Sequence, residues 1–369
     1  MSNIKKLFTP GPLSTSETVK SVMNIDLGSR DDEFIAIVKS IRERLLQLAG
    51  VKKSDYETIL MQGSGTFGVE SILNSVIKKD GKILIVINGA YGNRIRTICE
   101  RLYISTVELY YKENQTPNLK EIEELLTVDK EITHISIVHC ETTTGIINPI
   151  DRIGDIAFRY NKEFIVDAMS SFGAYSIDFY KSHIDYLVSS SNKCIEGVPG
   201  FSFIIANKEK LCQKKGVSSS LSLDLYEQWE NLEKTGQFRF TPPIHSLLAF
   251  NKALDELDKE GGIAGRSKRY KENNSLLLNE MEKLGFEKYL DPEDQGYIIT
   301  TFYYPDNENF NFETFYRLLS QKGFIIYPGK LTSADCFRIG NIGHIFKEDI
   351  QNLISAIKET LAEMNVNLL

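Results

Sequence analysis

Short apolar runs alternate with amphipathic stretches between residues 55 and 205 of the chain. The runs are rich in β-branched side chains and predict strands at 58–62, 82–87, 106–110, 134–139, 163–167, 184–189 and 201–206. The stretches between them repeat apolar residues at helical spacing, at 69–79, 93–103, 119–126 and 151–160. Strands that are apolar along their length and are separated by helices predict a largely parallel sheet with both faces covered.

The pattern changes at both ends of this region. Before it, a helix is predicted at 31–49, because Asp31 suits a helix start and Gly50 a helix end. After Gly236, the chain is interrupted by Thr241-Pro242-Pro243. Further helices are predicted at 244–259, 265–284, 312–321 and 347–364, and strands at 297–303 and 324–327.

These elements predict an α/β fold. A large domain would hold the mostly parallel central sheet flanked by helices, and a smaller C-terminal domain would be of the α+β type. The predicted boundaries are an N-terminal arm at 1–15, a large domain at 16–245 and a small domain at 246–369.

Composition narrows the class of protein. The chain has 369 residues, a net charge of −7, 42% hydrophobic and 25% charged residues, as expected of a soluble globular protein. It has no block of lysines and arginines, so we expect no nucleic-acid partner and no anionic membrane surface. The longest apolar runs, such as 83–87, fall far below the roughly 18 residues of a membrane helix. We also expect no signal peptide, because the apolar start is too short.

The cysteines and histidines argue against disulfides and metals. Five cysteines are scattered along the chain without a CxxC pair: Cys99, Cys140, Cys194, Cys212 and Cys336. We therefore expect reduced thiols and a cytoplasmic location. His134 and His139 are five residues apart, which places them on opposite faces of one strand, so no metal site is expected there.

Residues 63–68, with the sequence GSGTFG, follow a predicted strand and precede a predicted helix. The pattern matches the glycine fingerprint of dinucleotide-binding proteins. That fingerprint also requires an acidic residue at the end of the second strand, where this chain has Asn88. The segment fits a phosphate-binding loop better, with helix N-terminal N–H groups and the hydroxyls of Ser64 and Thr66 as donors. A tight turn without a ligand and an NAD site are the alternatives.

Two ionisable residues follow buried strands. Lys193 comes after the strand at 184–189, among small polar residues and glycines, and Asp167 ends the strand at 163–167. The carboxyl ends of parallel strands are where open α/β sheets bind ligands. Taken alone, each residue has a simpler interpretation, as a solvated lysine and a capping aspartate. Tyr91, just past another strand end, is either a side chain that stacks on a ligand or an ordinary core tyrosine.

Together with a phosphate-binding loop, these residues form the set that pyridoxal 5'-phosphate requires. The cofactor needs a lysine that holds it covalently, a carboxylate beside its pyridine nitrogen, a site for its phosphate and commonly a flat side chain over its ring. Lys193, Asp167, residues 63–68 and Tyr91 supply these groups. A purely structural role would leave a lysine and an aspartate at neighbouring strand ends unexplained.

The order of several short segments resembles the class V aminotransferases, a family of the fold type I pyridoxal-phosphate-dependent enzymes. The matching segments lie at 7–13, 62–70, 88–94, 139–149, 165–173, 189–201, 238–242 and 323–340, over nearly the whole chain. The resemblance implies the PLP-dependent transferase fold type I and an aminotransferase activity. It also implies a homodimer whose two active sites share residues.

The resemblance implies a role for individual residues as well. Lys193 would carry the cofactor and move the proton, and Asp167 would pair with the pyridine nitrogen. The others would contact the cofactor or substrate: Tyr91 by stacking, Thr142 near the ring oxygen, Ser64, Gly65, Thr66 and Ser191 at the phosphate, Thr241 at the phosphate of the neighbouring subunit, and Arg338 at the substrate carboxylate. Phe238 departs from the family pattern, because relatives often carry a tyrosine there that hydrogen-bonds the phosphate.

Residues 141–150 and 191–201 further resemble the members of the family that act on a phosphonate-bearing amine. They imply transamination of 2-aminoethylphosphonate with pyruvate, giving phosphonoacetaldehyde and L-alanine. The phosphonate carries up to two charges, so we expect a second cation beside Arg338, from Arg30, Arg94 or Arg239. The alternatives are a class V alanine or serine aminotransferase that uses glyoxylate or pyruvate, and a non-catalytic nucleotide-binding module.

Overall fold

The computed structural model of the chain describes residues 5–329, 331 and 334–368. Its strands are β1 (Lys6–Leu7), β2 (Tyr56–Gln62), β3 (Lys82–Ile87), β4 (Ser105–Tyr110), β5 (Ile132–Val138), β6 (Cys140–Glu141), β7 (Ile146–Ile147), β8 (Glu163–Asp167), β9 (Tyr186–Ser190), β10 (Phe201–Asn207), β11 (Ile299–Tyr303), β12 (Phe324–Ile325), β13 (Tyr327–Pro328) and β14 (Cys336–Gly340). Its α-helices are α1 (Glu17–Ser21), α2 (Asp32–Ala49), α3 (Gly65–Val76), α4 (Ala90–Arg101), α5 (Leu119–Val128), α6 (Ile150–Arg159), α7 (Lys208–Cys212), α8 (Leu225–Thr235), α9 (Ile244–Lys259), α10 (Gly262–Lys283), α11 (Phe312–Gln321) and α12 (Lys347–Glu363).

The largest sheet has seven strands in the order β2-β10-β9-β8-β5-β3-β4. The pairs β3–β4, β3–β5, β5–β8 and β8–β9 are parallel, and helices α3, α4, α6 and α8 pack against the sheet. The strands at its centre, such as β8 and β9, are buried along nearly their whole length. The prediction of a mostly parallel sheet flanked by helices is therefore confirmed.

Strand β10 is the reversed strand of this sheet and runs antiparallel to both β2 and β9. The connection from Ser190 at the end of β9 to Phe201 at the start of β10 contains no helix. A parallel neighbour would need a long crossover connection, so this connection suits an antiparallel pair. The loop that carries Lys193 is consequently held between two paired strands.

Helix boundaries follow their predicted end signals. The Asp31 side chain accepts a hydrogen bond from the Glu33 N–H at 3.0 Å, which caps the start of α2. The helix ends at Gly50, whose φ of 67° favours a residue without a β-carbon. None of the helices in the described ranges combines the length and the apolar character that crossing a bilayer requires.

A smaller part of the structure contains the antiparallel sheet β11-β14-β13 with helices α10, α11 and α12. Its core is aromatic: the ring of Phe286 lies 5.5 Å from that of Phe337 and 6.3 Å from that of Phe315, between centroids. The smaller C-terminal α+β part of the predicted fold is confirmed. The predicted strand at 324–327 is divided, since β12 pairs with β1 whereas β13 pairs with β14.

The N-terminal segment reaches this smaller part, because β1 pairs in parallel with β12. The boundaries at 1–15, 16–245 and 246–369 remain predictions. Residues 1–4 of the predicted arm lie outside the described residues, as do residues 330, 332, 333 and 369 of the predicted small domain.

A buried ion-pair network joins the loop after β9 to α10. In that loop, the Glu196 carboxylate accepts hydrogen bonds from Arg269 Nη2 at 2.7 Å and from the Tyr270 hydroxyl at 2.5 Å. Arg266 Nη1 lies 3.3 Å from the same carboxylate and donates to the carbonyl oxygen of Cys194 at 2.5 Å. Movement of the loop away from α10 would separate these buried partners and leave uncompensated charges, which is unfavourable. The network therefore restrains the loop against α10.

Phe203→Ala should lower the free energy of unfolding by about 3–5 kcal/mol, because Phe203 is fully buried in β10 between the rings of Phe172 and Phe250. Phe158→Ala is the matched control, since Phe158 is 65% exposed and stacks on His183 alone, and should cost about 1 kcal/mol or less. Urea unfolding of both variants measures the difference. Equal losses would contradict this account of the core.

Candidate active site

A cavity of about 240 Å³ lies at the carboxyl ends of β8 and β9, beside the first turns of α3 and α4. Most of the residues predicted from the sequence line it: Ser64, Gly65, Thr66, Tyr91, Thr142, Asp167 and Lys193. The wall also includes Arg94, Cys140, Met169 and Asn192. Residues that are far apart in the chain thus meet where the strand ends of an open α/β sheet form a crevice.

Lys193 reaches this cavity from the loop after β9. Its amine donates a hydrogen bond to the carbonyl oxygen of Pro10 in the N-terminal segment. Gly11 has a φ of 117°, and a β-carbon there would lie 2.7 Å from Lys193 Nζ, so a side chain at this position would displace the amine. Burial lowers the pKa of Lys193, which favours the neutral amine that can attack a carbonyl group or accept a proton.

Asp167 ends β8 and is only 6% exposed. Its Oδ1 accepts a hydrogen bond from the Met169 N–H at 2.9 Å. Burial raises the pKa of Asp167 to about 6, although that hydrogen bond and the charges of Arg94 and Lys193 act in the opposite direction. A cation placed beside this carboxylate would stabilise its ionised form, so the site suits a protonated ring nitrogen.

The start of α3 lies in the wall of the cavity and is the candidate anion cradle. Ser64 precedes the helix, and its side chain makes no hydrogen bond to the first turn. The N–H groups at the first positions of a helix have no partner within the helix and can face an anion. Gly63, with a φ of 100°, makes the turn into the cradle, where a β-carbon would lie 2.6 Å from the ring of Phe67.

Arg94 adds a positive charge to this cradle. Its Nη1 lies 3.2 Å from Thr66 Oγ1, and its guanidinium carbon is 4.8 Å from the centroid of the Tyr91 ring. Of the three arginines predicted to assist Arg338, it is the one that lines the cavity. Arg239 donates to a backbone carbonyl at 2.8 Å and lies over a phenylalanine ring, and Arg30 occupies an exposed turn before α2.

Three other predicted residues lie outside the cavity wall. Ser191 is buried beside it, and its hydroxyl donates to the carbonyl oxygen of Val198 at 2.6 Å. Thr241 is exposed, and its carbonyl oxygen accepts a hydrogen bond from the Gln62 side chain. Arg338, the third, is described below with its partners. Phe238, the departure from the family pattern, is packed in the hydrophobic core of the large sheet.

Arg338 lies behind the cavity in β14 and is 1% exposed. Its Nη1 donates to the carbonyl oxygen of Thr142 at 2.7 Å, and its Nε donates to that of Pro328 at 3.0 Å. Burial lowers the pKa of Arg338. Thr142 lines the cavity and its carbonyl oxygen holds the guanidinium. Arg338 is therefore separated from the cavity by Thr142.

The two histidines considered from the sequence have separate partners. His134 Nδ1 lies 2.7 Å from Thr133 Oγ1, and His139 Nδ1 lies 2.9 Å from Ser171 Oγ. Burial lowers the pKa of His139 to about 4, so this ring is neutral at physiological pH.

Some residues at the site were given no role from the sequence. Pro10, Met169 and Glu141 contact predicted site residues, but they lie in segments where no charge pairing or periodicity marks them. The position of Met169, two residues after Asp167, is the one signal that could have indicated a place in the wall. Glu141 could not be found in this way, because its role depends on a contact between distant segments.

This arrangement is that of an aminotransferase of class V, in which one sheet edge brings together a lysine, an aspartate and an anion cradle. The model of the family described as aminotransferase class-V matches residues 16–351, and the chain therefore belongs to that family. The chain is 51% identical to the 2-aminoethylphosphonate–pyruvate transaminase of Bacillus cytotoxicus, with 96% of this chain and 97% of that protein covered. It is 49% identical to the protein of the same name from Lysinibacillus sphaericus, with 99% of each covered.

A third relative is longer. The chain is 50% identical to the bifunctional phosphonoacetaldehyde hydrolase/aminoethylphosphonate transaminase of Clostridioides difficile, and the match covers 96% of this chain but 56% of that protein. Among solved structures, alanine–glyoxylate aminotransferase from Nostoc sp. has a TM-score of 0.91 at 24% identity, with 98% of this chain and 96% of that one covered. Ureidoglycine–glyoxylate aminotransferase from Bacillus subtilis has a TM-score of 0.90 at 23% identity, with 99% and 95% covered. At these identities the two structures establish the fold.

Asp167→Asn should stabilise cofactor-free protein, and more so at higher pH. The pKa of Asp167 is raised by burial from 3.8 to about 6, so folded protein binds this proton more tightly than unfolded protein does. The resulting stability is present below pH 3.8 and is lost as the pH rises through 6. Between about pH 5 and about pH 8, the stability advantage of the variant should widen by about 1 kcal/mol. Urea unfolding at both pH values measures it, and an advantage that narrows would contradict the assignment.

Proposed function

We propose that the chain is a pyridoxal-phosphate-dependent aminotransferase that transfers the amino group of 2-aminoethylphosphonate to pyruvate. The products would be phosphonoacetaldehyde and L-alanine. The observation that carries the proposal is the meeting of the Lys193 amine, the Asp167 carboxylate and the α3 anion cradle in one cavity. The names of relatives that are about half identical over nearly the full chain support the choice of substrates.

The residues at the cavity fit pyridoxal phosphate by their chemistry. Lys193 would hold the cofactor covalently and Asp167 would pair with its pyridine nitrogen, since the one has a lowered and the other a raised pKa. The remaining residues would contact its ring or phosphate: Tyr91, Thr142, Ser64, Gly65, Thr66 and Ser191. When bound, the cofactor supplies a conjugated system that accepts the electrons released at the donor carbon.

The protein would position the groups and move the proton. The neutral Lys193 Nζ, once free, would take the proton from the donor carbon that bears the amino group and deliver it to the C4′ carbon of the cofactor, a contribution of about 10²–10⁴-fold in rate. Asp167 would keep a proton on the ring nitrogen through a charge-assisted hydrogen bond. The Pro10 carbonyl oxygen would hold Nζ at the cavity until the cofactor binds, and the absence of a side chain at Gly11 would leave Nζ room to move.

Two arginines, one in the cavity wall and one behind it, would hold the substrate anions. Arg338 would bind the carboxylate of pyruvate, because a guanidinium offers a planar fork to such a group. Its present hydrogen bonds engage Nε and Nη1 with backbone carbonyls. Arg94 lines the cavity and is the candidate for a second cation toward the phosphonate of the donor.

The proposed enzyme is a homodimer with shared sites. Thr241 would reach the phosphate held by the partner subunit, and its exposed position away from the cavity of its own chain supports this role. Phe240, beside it, is 42% exposed, and Phe67, at the start of α3, is 51% exposed, as expected of an apolar contact surface. None of the described cysteines takes part in a disulfide, which supports a cytoplasmic location.

Purified protein carrying pyridoxal phosphate should convert its cofactor to the amine form when 2-aminoethylphosphonate is added, with a fall of the yellow absorbance. Alanine should also convert the cofactor, because it is the amino donor when the overall reaction runs in reverse. Conversion by serine should be far slower. The measurement is the absorbance spectrum after each amine is added separately. Conversion by serine but not by the phosphonate would favour a different class V aminotransferase.

The matched control is a pair of lysine variants. Lys193→Met should abolish the conversion, because the covalent link and the mobile proton acceptor are both lost. Lys214→Met should retain the conversion. Lys214 is also buried, but its amine donates to the Glu163 carboxylate at a distance of 2.8 Å, and neither residue lines the cavity. Equal conversion by both variants would refute the role of Lys193.

Arg94→Ala should raise the KM for 2-aminoethylphosphonate by about ten- to a hundredfold, as expected for the loss of a hydrogen bond to a charged group. The KM for pyruvate should change much less. Steady-state kinetics at saturating cofactor measures both values, and Arg96→Ala serves as the control because Arg96, on the same helix, pairs with Glu100 at 3.5 Å and lies outside the cavity wall. An unchanged KM for the phosphonate would exclude Arg94 as its ligand.

A further inference from the structure

Glu141 is a fully buried carboxylate behind the cavity wall that the proposed mechanism does not use. Its Oε2 accepts hydrogen bonds from the Tyr91 N–H at 3.1 Å and the Gly92 N–H at 3.2 Å, in the first turn of α4. Its Oε1 accepts from the Thr143 N–H at 3.2 Å and from the Thr143 hydroxyl at 2.6 Å. One side chain thus joins two segments of the site that are 50 residues apart.

Both oxygens of Glu141 act as acceptors only. The Thr143 hydroxyl oxygen accepts a hydrogen bond from the Ala90 N–H at 2.8 Å, so its own hydrogen points to the carboxylate. Each carboxylate oxygen therefore receives two donors. An amide in place of the carboxylate would turn an NH₂ group toward N–H donors on one of the two sides. Burial raises the pKa of Glu141, but the donors at both of its oxygens act in the opposite direction and suit the ionised glutamate.

Gly89 leaves the space that the carboxylate needs. A β-carbon at this position would lie 2.3 Å from Glu141 Cγ and 2.4 Å from Cδ. The backbone of Gly89 is extended, with φ of 174°, which other residues also adopt. Contact with Glu141, and not backbone strain, is therefore the reason why a side chain does not fit here.

The two segments joined by Glu141 both contribute residues to the wall of the cavity. The first turn of α4 carries Tyr91 and, one turn later, Arg94. The segment after β6 carries Thr142, whose carbonyl oxygen holds Arg338. The Glu141 carboxylate therefore lies between the segments that position Tyr91, Thr142 and Arg338.

A second contact joins the same segments without the glutamate. Asn88 Nδ2 donates to Asn148 Oδ1 at 2.8 Å, and Asn148 Nδ2 donates to Asn88 Oδ1 at 3.1 Å. Asn148 also donates to the carbonyl oxygen of Val138 at 2.8 Å. With this pair in place, loss of the Glu141 carboxylate should shift the start of α4 rather than separate the segments.

We propose that Glu141 is a positioning residue that sets the Tyr91 ring and Thr142 against the cofactor by fixing the start of α4 to the segment after β6. The inference rests on the proposed cofactor-dependent function. Glu141 would hold the residues around the cofactor in place without touching the cofactor or the substrate. A displacement of about 1 Å at such a site costs on the order of 10²-fold in rate.

The test compares Glu141→Gln with Glu57→Gln. Glu57 is 1% exposed and also accepts two hydrogen bonds from side chains, from Lys208 at 3.0 Å and Arg42 at 3.3 Å, but it lies far from the cavity at the other end of β2. Each variant is titrated with pyridoxal phosphate by fluorescence, and the circular dichroism band of the bound cofactor and the thermal midpoint are recorded.

Glu141→Gln should weaken cofactor binding by about tenfold or more and change the circular dichroism band, with kcat reduced by about 10²-fold. Glu57→Gln should lower the thermal midpoint but keep the binding constant and the band of the wild type. If Glu141→Gln does not fold, Gly89→Ala decides, because its methyl group displaces the carboxylate without removing the charge, and the same loss of affinity is expected.

Two results would overturn the inference. A Glu141→Gln or Gly89→Ala protein that binds the cofactor like Glu57→Gln, with the band of the wild type, would show that Glu141 is only structural. The proposed function would be unaffected by that outcome. A wild-type protein that binds no pyridoxal phosphate would overturn the proposed function together with the inference.

Discussion

The structure depends on the burial of one amine and one carboxylate in the same cavity. Removal of both groups from water lowers the pKa of Lys193 and raises that of Asp167 to about 6, so burial disfavours the charged form of each group. The two groups reach the cavity from neighbouring strands, because β8 ends in the aspartate and the β9–β10 loop contains the lysine. Buried groups that disfavour their own charge are suited to a ligand that supplies charge and hydrogen bonds in return.

The surrounding contacts hold the cavity from several directions. The N-terminal segment pairs with β12 and places the Pro10 carbonyl against the lysine. The Glu196 network joins the lysine loop to α10, and Glu141 joins the start of α4 to the segment that contains Thr142 and Thr143. Each contact joins segments that are far apart in the chain. The cavity is therefore shaped by long-range interactions, while the helices and strands supply its rigid frame.

The sequence predicted the central strands and helices well, because periodicity and end signals are local. The strands ending at Asp167 and preceding Lys193 were predicted closely, as was α2 between Asp31 and Gly50. It did not predict the direction of β10, strand β14 or the role of Glu141. Buried parallel and antiparallel strands have similar apolar patterns, and a carboxylate held by backbone N–H groups of a distant helix leaves no trace in spacing. Arg94 was named as a candidate, but its place beside Thr66 follows only from the fold.

Chemical trapping of the cofactor on the protein tests the central claim most directly. Borohydride reduces a carbon–nitrogen double bond between a lysine and pyridoxal phosphate to a stable amine, and peptide mapping by mass spectrometry then identifies the lysine. The account predicts that the added mass lies on the peptide that contains Lys193 and that Asp167→Ala diminishes, without relocating, the label. A label on another lysine, or none after incubation with the cofactor, would contradict it.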